Sequence, residues 1–176
     1  MIRLLFLSFS LLFAFSAISQ SDTLNDEELI AIFKEINESD ASHMKEPEIR
    51  EQIFIENFKT IVKITKAQGF PQLQEHYRKK KIRNCIINGS RITFIHILQS
   101  QPKMLLNEEM IELFGKEIKS DRLDNSILET ALFAFKYDHD VGRIDNQWDE
   151  EIQQQFNLAL EAWDIDINDS PYSKAN

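Results

Sequence analysis

From Leu29 to Trp163 the apolar side chains return every three or four positions. Only a helix gathers such a spacing on one face. Glycine and proline, four of each in 176 residues, are too few to punctuate a sheet of short strands. No strand-turn-strand rhythm appears, so the chain reads as all-α.

The helices can be placed one by one. Leu29, Ile30, Ile32, Phe33 and Ile36 form the apolar side of a helix over 26–38, with acids at its start. Pro47 opens a longer one, carrying Ile49, Ile53, Phe58, Ile61, Val62 and Thr65. Gly69 is its natural stop, and Pro71 forbids continuation. Residues 72–83 fit a third helix with a basic end.

Segment 85–98 has two readings. Cys85-Ile86-Ile87 and Ile92-Thr93-Phe94-Ile95 flank Asn88-Gly89, a hairpin signal. Alternatively, Ser90 caps a helix carrying Ile92, Phe94, Ile95 and Leu98, and this is the favoured reading. Beyond Pro102, Asn107 caps a helix holding Met110, Ile111, Leu113, Phe114 and Ile118. Asp124 caps another, with Ile127, Leu128, Ala131, Leu132 and Phe135 inward. A last helix spans about Trp148 to Trp163. The expected architecture is a single all-α domain over 20–163, a bundle of about five to seven amphipathic helices. A polar, frayed tail covers 164–176.

Residues 1–19 stand apart from this pattern. Arg3 supplies one positive charge, Leu4 to Phe15 is almost wholly apolar, and Ser16-Ala17-Ile18-Ser19 ends in small residues. That is the form of a cleavable signal peptide. Leu4 to Ile18 as a helix rises about 22 Å, short of the roughly 30 Å of a hydrocarbon core. The expected destination is a periplasm or the extracellular space, without stable membrane insertion after cleavage.

Removing residues 1–19 takes the net charge from −9 to −10, because Arg3 leaves and no acid does. Such acidity disfavours nucleic acid and favours a basic protein partner. Cys85 is the only cysteine, so no intrachain disulfide forms and packing alone must hold the domain. Between Ile86 and a basic block, its expected role is that of a small buried hydrophobe.

Few residues offer chemistry. His43, His76, His96 and His139 form no paired zinc spacing. His96 lies in the most apolar stretch, where a hydrogen-bonded core histidine is expected. Asp138-His139-Asp140 is the densest group of acid-base residues. Helical neighbours point about 100° apart, so these three cannot grip one ion unaided. If His139 faced His96 with Asp138 or Asp140 beside it, a two-histidine, one-carboxylate metal site would form. Asp140 would then be the candidate base, and His96, His139 and Asp140 the candidate catalytic residues.

Asp164-Ile165-Asp166-Ile167-Asn168-Asp169 opens like a calcium loop, but Asp169 stands where the turn needs glycine and Ala175 where a bidentate glutamate is required. Arg78-Lys79-Lys80-Lys81-Ile82-Arg83 reads as a solvated helix face. Asn37, Asn88 and Asn168 begin glycosylation triplets, relevant only in a host that uses them. No nucleophile elbow or phosphate loop is present, and no cofactor is expected.

Four short motifs carry a family resemblance: Asn57, Gly69-Phe70-Pro71, Ile95-His96-Ile97-Leu98-Gln99, and Ala131-Leu132 leading to Asp138. Over Asn57 to Arg143 the chain resembles a bacterial helical domain family of unknown function, often exported. It departs at Ile97-Leu98, where that family tends to place Ala-Asp, and it lacks the family's Gln/Tyr-Gly-Thr-Gln-like end. The resemblance implies a helical fold and places His96, Asp138 and His139 on motif positions. The leading expectation is an exported interaction protein, inhibitor- or immunity-like, that captures a basic partner. The alternative is a metal-assisted hydrolase using His96, His139 and Asp138.

Overall fold

The structure, a computed structural model, describes residues 23–42, 47–71, 80–144 and 148–167. Residues 1–19, read above as a signal peptide, lie outside the described residues, as do His43, His76, Arg78, Lys79 and most of the C-terminal tail.

The described residues form seven helices and no strand: α1 (Asp26–Ser42), α2 (Pro47–Gln68), α3 (Lys80–Ser100), α4 (Pro102–Leu105), α5 (Glu108–Lys119), α6 (Ser126–Asp140) and α7 (Glu150–Ala162). They pack as one all-α bundle. None is long and apolar enough to cross a membrane.

α3 is the organising element, in contact with α1, α2, α4 and α6. Ile86, Gly89, Ser90, Thr93, Phe94, Ile97 and Leu98 are all buried along it. The hairpin alternative for 85–98 is excluded. So is a Ser90 cap, since the helix starts ten residues earlier, at Lys80. Asn88-Gly89 sits inside the helix because α1 needs the room. A Cβ on Gly89 would stand 2.9 Å from Asn37 Nδ2 and 3.2 Å from the Phe33 ring. Close packing here outweighs the turn propensity of the dipeptide.

Phe94 meets Phe58 and Phe114 edge-on, with centroids at 6.2 and 5.2 Å, and ties α2, α3 and α5 together. A second aromatic group, Phe135, Trp148 and Phe156, joins α6 to α7. Trp163 is fully buried, and its Nε1 donates to the Ile111 carbonyl at 3.0 Å. Ile165 and Ile167 are buried as well, so the packed body runs on past Trp163 into the segment expected to be polar and frayed.

Several helix ends follow local chemistry. Asn107 Oδ1 accepts from Met110 N and Asp149 Oδ1 from Ile152 N, as N-caps do. Asp124 acts one residue before the helix cap position: its Oδ1 accepts from Ser126 N. α5, α6 and α7 end alike, with a residue in the left-handed region (Asp121, Gly142, Asp164) followed by an amide bonded five residues back.

Candidate functional site

The pairing of α3 with α6 brings the His96 motif and the Asp138 motif to one seam. Their contact runs through Gln99 and Asp138, not through the histidines. Gln99 Nε2 donates to Asp138 Oδ2, and Arg143 Nη1 donates to Asp138 Oδ1 at 3.0 Å. The Asp138 side chain is 11% exposed, so both oxygens need such partners. Arg143 is fixed from behind: its backbone N–H closes the end of α6 on the Asp138 carbonyl. Its guanidinium also lies over the Tyr137 ring.

His96 faces another way. Its ring lies flat on Phe54 at 4.0 Å, and Nε2 is 3.3 Å from Asp40 Oδ1. One imidazole thus joins α1, α2 and α3. His96 is therefore not a buried core histidine: its ring is stacked and half-buried, at ion-pair distance from Asp40. His139 stacks on Trp148 at 4.5 Å, with Nδ1 3.3 Å from Asp140 Oδ1. The Lys136 ammonium, foremost, and then His139 hold the Asp140 carboxyl below its ordinary range. That makes Asp140 a weaker base than a free carboxylate.

The expected two-histidine, one-carboxylate centre therefore does not assemble. Among the described residues no group of three or more histidine, cysteine, aspartate or glutamate side chains could hold a metal ion. The reason is geometric. Each ring is spent on an aromatic neighbour, and Asp138 is spent on Gln99 and Arg143.

Cys85 is half-buried, and burial raises its thiol above the ordinary value. Such a thiol is protonated at neutral pH and a poor nucleophile. Asn37, the first glycosylation triplet, donates from Nδ2 to the carbonyls of Phe33 and Cys85, pinning α1 to α3. Asn88 is exposed on α3; Asn168 lies outside the described residues.

Two features escaped sequence reasoning. Glu117, 2% exposed, is held by Arg122 and by the Phe70 amide. Nothing in Lys116-Glu117-Ile118-Lys119 marked it as interior. The second is the outer ridge of α7. Glu150, Gln154, Asn157 and Glu161 occupy positions i, i+4, i+7 and i+11, all exposed, and Leu158 beside them is 51% exposed. The helical period of the sequence carried this ridge, as the face opposite Ile152, Phe156 and Ala159.

No protein-family model, curated protein or solved structure matches the chain.

Proposed function

We propose that the chain is exported, loses residues 1–19, and works as a binding protein that captures a basic partner on the outer ridge of α7. The observation that carries this reading is Leu158, a large apolar side chain half open to solvent beside the Glu150–Glu161 ridge. A leucine beside a polar ridge that begins and ends in glutamate offers a cationic, amphipathic surface one apolar and two acidic contacts. The net charge of −9 works in the same direction, by drawing a basic partner in over distance. The leader-like start and the resemblance to an often exported helical family support the address.

The packing of the candidate metal ligands also favours binding over metal-assisted chemistry. His96, His139 and Asp138 serve as joints between helices, so substrate access to them would cost packing.

The test uses the chain from Gln20 onward and a fluorescein-labelled amphipathic peptide of lysine and leucine. Saturable binding that weakens with added salt is expected, and it should weaken further in Leu158→Ser and in Glu150→Lys/Glu161→Lys. Equal binding of a glutamate-leucine peptide, or affinity unchanged in Leu158→Ser, would refute the reading.

A further inference from the structure

A groove lies away from α7, between α2 and the α4–α5 corner, with a volume of about 610 Å³. Its floor is apolar, made by Phe58, Val62, Met104 and Met110. Phe58 and Met110 are otherwise nearly buried, whereas Val62 and Met104 are half open. Two methionines make such a floor adaptable, because an unbranched thioether re-packs at low cost.

One rim is basic. Lys59, Lys63 and Lys66 occupy positions i, i+4 and i+7 of α2, so they line one side of the groove. Glu109 on the opposite rim reaches Lys66 at 2.5 Å, and Lys59 pairs with Glu56 at 2.9 Å. The Lys66–Glu109 and Lys59–Glu56 pairs are solvent-exposed, and exposed pairs of this kind are weak. An incoming anion can therefore take over the ammonium groups at little cost.

We infer that this groove binds a single-chain anionic amphiphile, a fatty-acid-like molecule whose aliphatic tail lies on Phe58, Val62, Met104 and Met110 while its carboxylate meets the lysines of α2. The size suits a small ligand, since such sites fall at about 300–1,000 Å³. Charge complementarity selects the head: a cation would face three ammonium groups across one rim. The inference is independent of the partner proposed for α7, which contributes no residue to the groove.

The experiment titrates the chain from Gln20 onward with dansyl-aminoundecanoate. Saturable one-to-one binding is expected, displaced by dodecanoate and not by dodecyltrimethylammonium. Val62→Trp should abolish it by filling the floor. Lys59→Gln/Lys66→Gln should weaken it roughly tenfold while leaving the thermal midpoint in place. If Val62→Trp loses helical circular dichroism, Ala67→Trp at the exposed lip replaces it. Absence of saturation, equal competition by the cation, or binding that survives the tryptophan variant would overturn the assignment.

Discussion

Arg122 grips Glu117 with two hydrogen bonds, from Nε to Oε2 at 2.6 Å and from Nη2 to Oε1 at 2.9 Å. The Glu117 side chain is 3% exposed and that of Arg122 is 37% exposed, so the pair sits as a plug with its base outermost. Oε2 also accepts from the Phe70 amide at 2.7 Å, which binds the turn after α2 to α5. A charge this deep persists only with full pairing, and it has three donors.

This joint carries a pH signature. Arg122 first, and the Phe70 amide after it, hold the Glu117 carboxyl below its ordinary value of 4.5. A depressed carboxylate adds stability above its unfolded value, and that stability is lost as pH falls through the folded one. Denaturant titrations should therefore show the wild type weakening below about pH 4.5, with a shallower acid limb in Glu117→Gln. Arg122→Met removes two of the three donors from the buried carboxylate and should lower the denaturation midpoint near neutrality. An unchanged acid limb in Glu117→Gln would contradict the account.

Gly69 stands against the same joint. Its φ is +87°, and a Cβ there would lie 2.7 Å from Arg122 Nε. Gly69→Ala pays for a left-handed backbone and also displaces the guanidinium. The expected loss is about 2 kcal/mol, read from the denaturation midpoint.

Asp164 ends α7 in the left-handed region, at φ +53°, a position that favours glycine. Asp164→Gly should stabilise the domain by roughly 0.5–1 kcal/mol, because relief of the backbone exceeds the added freedom of the unfolded chain. A lowered midpoint would show that the Asp164 side chain contributes more than its backbone costs.

Gln99 and Asp138 supply the remaining check. Gln99→Leu keeps the volume but removes a donor from a buried carboxylate, at about 1–2 kcal/mol. Zinc or manganese added to the wild-type chain should leave the thermal midpoint unmoved, since the groups a metal would need are engaged in packing. A dose-dependent rise abolished in both His96→Ala and His139→Ala would restore the metal reading.

Much of the helical layout was legible because it rests on local rules. Pro47 opens α2, Gly69 follows it, and Asn107 caps α5, each by its own backbone chemistry. The reading failed where a local rule met a tertiary demand. Asn88-Gly89 looks like a turn, yet it lies within α3, where α1 packs so close that a Cβ would have to displace Asn37. Ile165 and Ile167 alternate with acids as an exposed strand-like tail would, yet they are buried. The candidate site was half legible. The sequence marked the 95–99 and 131–138 segments, and α3 does meet α6 there, but the side chains that touch are Gln99 and Asp138.

By itself the sequence determined that the described chain is helical and which side of each helix turns inward, since a period of 3.6 residues with few glycines and prolines leaves little else. Only the tertiary structure decided what the polar residues do. Whether Glu117 lies inside or outside, and whether His96 meets His139 or Phe54, depends on how helices far apart in sequence are rotated and stacked. That arrangement minimises exposed apolar area over the whole bundle, and no single segment encodes it.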